Sequence, residues 1–450
     1  MSTLIKRNGD WYKIKDIETG LEYYRSVPVF TGKRWIDGKP IYSLAIQVNN
    51  VPAETPTLVF DTGLGENIGD CIRFEAVLQG AGTSGTLYIE STGTPDCYDE
   101  RYNHVWLVKK SSDHSARGSG TIWVKASSSY SITDSPNSKI IIQMEFTLTT
   151  DTANTTFFTK VIKRTGTFNK SNCTLIKHNG MWVNVYQYQN KELYQFKLNE
   201  EVYTGSHWLD GKPIYAKVIK GKTSADIFPS AGQGNVYVAG IASNFKDMID
   251  VWGIIQNTDH VNGNENVVQM TGEIQRDSPE GSLCWYDNYR DKIHLRGAGA
   301  YGDCDTYVIL FYTKQTDTDK PITNIRDTCS TEEIFTGRYW IDGKKIYRKC
   351  YDTLWSGSTP ESSKPNANNI STGLPANTIK SVIRCRAIAN RVDDGYTYIL
   401  ACGGHDSSTA VNSEKFCNLW YSSYYNTLNS TGYLNYANKQ LMITLEYTKE

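Results

Sequence analysis

One phrase of fourteen residues occurs three times in this chain. It reads "VFTGKRWIDGKPIY" up to Tyr42, "VYTGSHWLDGKPIY" up to Tyr215 and "IFTGRYWIDGKKIY" up to Tyr347. Aligned on Trp35, Trp208 and Trp340, the copies stand 173 and 132 residues apart (208 − 35 and 340 − 208). A chain that repeats itself at this scale is built of related units, so the repeat bounds every other expectation.

Two more segments repeat behind each phrase. "CIRFEAVL" (71–78), "MIDVWGII" (248–255) and "VIRCRAIA" (382–389) put apolar or small residues at alternate positions. These are Ile72, Phe74 and Ala76, then Ile249, Val251 and Gly253, then Ile383, Cys385 and Ala387. Charged Arg73, Glu75, Asp250, Arg384 and Arg386 lie between them. Such alternation predicts a half-buried strand. The small residue at 76, 253 and 387 predicts one tight packing spot. "IIIQMEFTL" (140–148), "YVILFYTK" (307–314) and "LMITLEYTK" (441–449) close the copies on Phe146, Tyr312 and Tyr447. Each unit then spans about 115–125 residues, the size of an immunoglobulin-like β-sandwich.

The expected fold is all-β, three tandem antiparallel β-sandwich modules with short hairpin spacers. Residues 1–24 form an N-terminal hairpin that could anchor the chain. Module 1 covers 25–152, a spacer with a second hairpin 153–197, module 2 198–318, a linker 319–330 and module 3 331–450. A "TLIK-x-NG-x-W" element precedes modules 1 and 2, and its Asn-Gly pairs at 8–9 and 179–180 predict tight hairpins. No stretch carries helical or heptad periodicity, so under a tenth of the chain is expected in α-helix.

Within the phrase, Asp-Gly reads as the centre of a two-residue type I′ turn. That register pairs Ile36 with Lys39 and Trp35 with Pro40. It puts Trp35, Pro40 and Tyr42 on one face of the hairpin, and Ile36 and Ile41 on the other. Trp35, Asp37, Gly38 and Tyr42, with Trp208, Asp210, Gly211 and Tyr215 and with Trp340, Asp342, Gly343 and Tyr347, form a structural motif on this reading. A catalytic or ligand-binding cluster of Asp37, Lys39 and Tyr42 is the weaker alternative. Turn geometry and face pairing already account for the Asp, Gly, Trp and Tyr.

The chain offers little else as chemistry. Lys and Arg number 47 against 48 Asp and Glu, a balance that speaks against a nucleic-acid partner. The seven histidines form no HExxH, and the ten cysteines form no CxxC pair. No metal site, catalytic residue or cofactor is therefore expected, and the cysteines are expected reduced and buried. No apolar run nears the ~18 residues of a membrane helix, so no membrane insertion is expected. "MSTLIKRNGDWYK" lacks the apolar core of a secretion signal. The acidic run "PDCYDERY", with Asp96, Asp99 and Glu100, reads as a solvated loop and not as a glycosidase pair.

Aromatic residues are the exception, with 30 Tyr and 11 Trp. The run "CNLWYSSYYNTLNSTGYLNY" (417–436) holds two adjacent aromatic pairs, and a strand points neighbours to opposite faces. Trp420, Tyr421, Tyr424 and Tyr425 are therefore candidate glycan contacts. Exposed rings stack on sugars while nearby Asn and Ser supply hydrogen bonds.

The phrase W-I/L-D-G-K-P-I-Y, closed about 105–110 residues later by Y-T-K, resembles a module of tailed-bacteriophage structural proteins. It is similar to the β-sandwich repeat of phage fibre, receptor-binding and head-fibre proteins. This chain departs from the pattern at Ser43–Leu44, at Lys345 in place of Pro, and at the "FTL" that closes module 1. The resemblance implies a non-enzymatic virion component, first a tail or surface fibre that binds a host-receptor glycan. A capsid-attached head fibre or decoration protein is the alternative, and a glycan depolymerase the third. It also implies other virion proteins as partners, a homo-oligomer with a trimer among its forms, and a virion-surface location after synthesis in the host bacterial cytoplasm.

Overall fold

A computed structural model describes residues 3–7, 10–14, 22–23, 28–49, 57–79, 87–89, 104–111, 118–125, 139–153, 155, 175–178, 181–184, 194–223, 235–256, 265–270, 283–287, 290–296, 303–317, 320, 327–354, 366–375, 378–390, 396–400, 417–422, 427–432 and 440–449. Among these, the chain forms strands, two short 3-10 turns and no α-helix. The fold is all-β, and the named strands within each module pair antiparallel.

The N-terminal segment gives β1 (Thr3–Arg7), β2 (Asp10–Ile14) and β3 (Glu22–Tyr23). Module 1 gives β4 (Val29–Arg34), β5 (Pro40–Asn49), β6 (Thr57–Asp61), β7 (Ile68–Gln79), β8 (Leu87–Ile89), β9 (His104–Lys110), β10 (Thr121–Lys125) and β11 (Lys139–Leu148). The spacer holds β12 (Leu175–His178), β13 (Met181–Asn184) and β14 (Tyr194–Gln195). Module 2 gives β15 (Glu201–His207), β16 (Pro213–Lys222), β17 (Asn235–Val238), β18 (Phe245–Gln256), β19 (Glu265–Met270), β20 (Leu283–Asp287), β21 (Lys292–Arg296) and β22 (Asp305–Lys314). Module 3 gives β23 (Ile334–Tyr339), β24 (Lys345–Leu354), β25 (Asn366–Ser371), β26 (Ile379–Asn390), β27 (Tyr396–Leu400), β28 (Cys417–Ser422), β29 (Thr427–Gly432) and β30 (Gln440–Lys449).

All three modules share one topology. The front sheet runs β4-β5-β11-β7-β8 in module 1, β15-β16-β22-β18-β19 in module 2 and β23-β24-β30-β26-β27 in module 3. The back sheet runs β9-β10-β6, β20-β21-β17 and β28-β29-β25. The sheets do not stop at the module boundary. The back sheet of module 1 joins the front sheet of module 2 through β9 and β19. That of module 2 joins the front sheet of module 3 through β20 and β27. In module 3, β28 lies beside β8 of module 1. The modules therefore follow one another around a pseudo-threefold axis and close a ring, instead of extending as beads on a string.

The segments ahead of the modules repeat the same cycle. The spacer lies parallel on β4, with Phe196 N donating to Arg34 O at 2.8 Å. Ahead of module 3, Cys329 N donates to His207 O at 2.9 Å. Ahead of module 1, β3 lies parallel on β23, pairing Tyr23 with Tyr339. The two Asn-Gly hairpins also meet: β1 pairs with β12 in a sheet of order β13-β12-β1-β2. Register Arg7 to Asp10 and His178 to Met181 leaves two residues in each connection, as the Asn-Gly pairs require.

The turn of the repeated phrase differs from its sequence reading. Gly38 N donates to Trp35 O at 3.0 Å, while Trp35 N donates to Lys39 O at 2.8 Å. Arg34, and not Trp35, pairs with Pro40. This is a three-residue loop, a type I turn followed by a left-handed glycine in a G1 bulge. Only the glycine takes positive φ, +83° at Gly38, +79° at Gly211 and +81° at Gly343. Asp37 instead accepts the N–H of Lys39 at 3.0 Å, as Asp210 and Asp342 do for Lys212 and Lys344. The extra residue changes the faces: Trp35 and Ile41 share one core cluster, and Tyr42 belongs to another.

This geometry predicts unequal costs for one substitution. At Gly38 an added Cβ would lie 2.8 Å from Ala153 Cβ, whereas at Gly343 nothing stands within 4 Å. Gly38→Val is expected to lose on the order of 1–3 kcal/mol from the backbone conformation, plus the clash. Gly343→Val should lose less. Denaturant melts of both variants check the order, and equal losses would contradict the contact at Ala153.

Candidate functional site

The repeated hairpins aim their tryptophans outward, at the next module. Trp35 is fully buried among Ala216, Val218, Trp252 and Ile309 of module 2. Its ring meets Tyr307 edge-on at 5.3 Å, and its Nε1 donates to Asp70 at 2.8 Å. Trp208 shares a core cluster with Cys350 and Met442 of module 3. Trp340 packs with Ala45, Val77 and Ile141 of module 1, and its Nε1 donates to Gln47 at 3.4 Å. The sockets correspond: Val218, Cys350 and Ala45 hold one position of the topology, and Tyr307, Met442 and Ile141 another. The phrase is thus a knob that seats module 1 on 2, 2 on 3 and 3 on 1. Other details also repeat threefold. The Thr31, Thr204 and Thr336 hydroxyls donate to Ile41 O, Ile214 O and Ile346 O at 2.8–2.9 Å.

A bulge next to each knob sets what faces the axis. Cys71 pairs with Phe146 and Arg73 with Glu145, so Ile72 is an extra residue. The same shift occurs at Ile249 and Ile383. It sends Ile72 to the Trp35 cluster while Phe74 and Ala76 enter the core of module 1. The expectation that Ile72, Phe74 and Ala76 share a face therefore fails, because one inserted residue reverses the alternation. The tight spot at the third position is real: at Gly253 an added Cβ would meet Cys284 Cβ and Met270 Cβ at 3.0 Å.

The charged face of these strands is buried too. Arg73, Asp250 and Arg384 hold equivalent places around the axis, as do Glu75, Trp252 and Arg386. Arg384 binds Asp250 at 2.7 Å, and Arg386 binds Glu75 at 2.8 Å and Asp250 at 3.0 Å. Arg73 pairs with Glu75, and the Arg73 and Arg384 guanidiniums lie over the Trp252 ring at 5.3 and 5.4 Å. Beside them, Lys33 binds Glu145 at 3.0 Å, and Arg338 and Arg348 bind Glu446 and Asp327. Phe311 occupies the third place equivalent to Glu145 and Glu446, and its ring meets Trp252 at a tilt, 4.7 Å between centroids. Module 2 thus supplies rings where modules 1 and 3 supply charges.

Unlike residues at equivalent places are what one linked chain allows. Three identical modules would bring three Arg384 or three Glu75 to the axis, and like charges there repel at low dielectric. The pairing specifies the order of the modules as well as holding them. Burial raises the Glu75 carboxyl, but Arg73, Arg384 and Arg386 outweigh it and hold that group well below the usual carboxylate range. Burial likewise raises Glu446, and Arg348 and Arg338 outweigh it.

Groups with lowered pKa stabilise the fold above the unfolded carboxylate value, about 4.3, and that contribution disappears as pH falls below it. Thermal melts are therefore expected to hold from neutral pH down to about 5 and to fall steeply below about 4. A midpoint that stays constant to pH 3 would contradict the axial assignment.

The sequence-derived candidates land as follows. Asp37 and Lys39 sit at the turn, 3.4 Å apart. The Tyr42 hydroxyl donates to Asp151 at 2.7 Å, so Asp37, Lys39 and Tyr42 do not converge. Tyr215 and Tyr347 pair with Tyr312 and Tyr447 as Tyr42 does with Phe146. Trp420 and Tyr421 belong to β28, in register with Asn429 and Leu428. Tyr424, Tyr425 and the run "PDCYDERY" lie outside the described residues. Cys71, Cys284, Cys304, Cys329, Cys350 and Cys385 are buried thiols outside any disulfide. Among the described residues, no group of three or more His, Cys, Asp or Glu could hold a metal ion, and no helix is long and apolar enough to cross a membrane.

Sequence reading missed the axial pairs. Their one signal was chemical: Lys33 and Arg338, and Glu145 and Glu446, recur as charged residues at matching places of the repeated strands.

No family model matches the chain, and no curated protein matches it. Among solved structures, the collagen adhesin (CNA) of S. aureus aligns at 9% identity over 73% of this chain and 87% of that chain. Its TM-score is 0.11, and at that value the likeness carries no argument.

Proposed function

We propose that this chain is a non-enzymatic structural protein of a bacteriophage virion, displayed on the particle as a tail or surface fibre that contacts a host glycan. The observation that carries the reading is the closed ring of three modules. A mount that resists shear needs units locked against one another, and here one chain supplies all three together with the knobs that lock them. The resemblance of the phrase to phage fibre repeats supplies the setting.

The ring changes where further copies would assemble. The three Trp sockets are filled from within the chain, and the axis suits three different modules and not three identical ones. A homo-oligomer would therefore form away from the axis. The outer strands of the N-terminal sheet, β2 and β13, are edges able to accept a neighbour's strand. The compactness of a ring also favours the second reading, a capsid-attached head fibre or decoration protein, over a long projecting fibre.

Antibody labelling of intact particles tests the proposal. Label on the tail supports the fibre reading and label on the head the decoration reading, while particles without the protein would overturn both. The full chain, with Trp420→Ala beside it, should be tested on a glycan array. Binding that the substitution abolishes supports glycan contact through β28, and the absence of binding removes it.

A further inference from the structure

Where the three modules meet, the axial network lines a cavity of about 50 Å³. Its wall takes residues from every module: Lys33 from module 1, Asp250 and Trp252 from module 2, Arg348 and Arg384 from module 3. Asp327, ahead of module 3, completes the charged part, and Thr204 and Thr444 also line the wall.

The wall is rich in donors. Three cationic side chains face two carboxylates, and both carboxylates are already engaged. Asp250 accepts from Arg384, Arg386, Trp252 Nε1 and Val251 N. Asp327 accepts from Arg338 and lies 3.5 Å from Arg348. On the cationic side, Lys33 gives Glu145 two hydrogen bonds, at 3.0 and 3.1 Å, and an ammonium group has three N–H donors. Arg384 is 7% exposed, and its buried Nε lies 3.6 Å from Glu75, too far for a hydrogen bond. A buried cationic donor that makes no hydrogen bond is costly, and an anion within bonding distance would relieve it.

We propose that this cavity is a binding site for one small inorganic anion, held by Lys33 and Arg384 at the junction of the three modules. Bound there, the ion would bridge module 1 to module 3 across the Trp252 ring of module 2. It would strengthen the ring where a single contact reaches all three units. Its volume admits an ion of chloride size.

Chloride and bromide are the probes. The full chain is melted in sodium chloride and in sodium gluconate at equal ionic strength, because gluconate is a much larger anion that does not match a chloride-sized site. Stability should rise with chloride by mass action, by about 1–2 °C for each tenfold increase once the site is filling. It should not rise with gluconate. Arg384→Gln should abolish the difference between the salts, whatever it does to the melting point itself. Because that variant also breaks the Asp250 pair, bromide-soaked crystals of the unaltered protein give an independent measurement. An anomalous peak between Lys33 and Arg384 supports the site. Equal melting in both salts, with no bromide peak, means that the cavity holds water only and overturns the proposal.

Discussion

Trp35→Ala is expected to destabilise the whole chain by about 3–5 kcal/mol, the range for removing a large buried ring. Trp35 is fully buried, so the loss includes its apolar burial and the cavity left behind. It also deprives Asp70 of the indole N–H. The distinctive part of the expectation is location. The cavity opens between modules 1 and 2, so the seam between them should loosen before either sandwich does. Denaturant unfolding gives the size of the effect. Hydrogen exchange gives its place, with β16 and β22 of module 2 losing protection although the substitution lies in module 1. Val238→Ala is the control, because Val238 is 72% exposed and should change little. A loss under about 1 kcal/mol for Trp35→Ala would mean that the hairpin knob does not hold the ring.

Glu446→Gln is expected to cost a similar amount, about 3–5 kcal/mol, for an electrostatic reason. Glu446 is fully buried and is the main counter-charge of Arg348, with Arg338 at 3.6 Å. Neutralising it leaves two buried guanidiniums to share Asp327. The attraction in such a pair is largely offset by the desolvation of its members, so deleting one member reveals the full cost of the other. The companion variant separates the two effects. Replacing Glu446 by Leu and Arg348 by Met together should recover much of the loss, since no uncompensated Arg348 remains. Denaturant melts of the single and double variants decide it. A single variant as stable as the unaltered chain would show that Arg348 is neutralised by another group.

Local chemistry made much of this fold legible in the sequence. Residues two apart in a strand share a face, so period-two stretches announced strands in all three modules. Asn-Gly admits positive φ at both positions, and the two hairpins at 8–9 and 179–180 pair as two-residue loops. Asp-Gly in the repeated phrase was less decisive. The same dipeptide serves a type I′ turn and a type I turn with a G1 bulge, and the choice depends on how the flanking strands pack. The bulges at Ile72, Ile249 and Ile383 left no local mark, because an extra residue in a strand has no composition of its own.

By itself, then, the sequence determined that this protein is a threefold repeat of all-β modules, each opened by a tight hairpin and closed by an aromatic strand. These features follow from backbone sterics and side-chain alternation over a few residues. The tertiary structure alone decided that the modules form a ring, that their tryptophans seat on the next module, and that their charged faces meet in a buried axial network. Those outcomes join residues far apart in the chain, such as Trp340 to Gln47 and Arg386 to Glu75. A charged residue between apolar ones reads the same whether it faces water or an opposite charge, and only the approach of a second module decides between them.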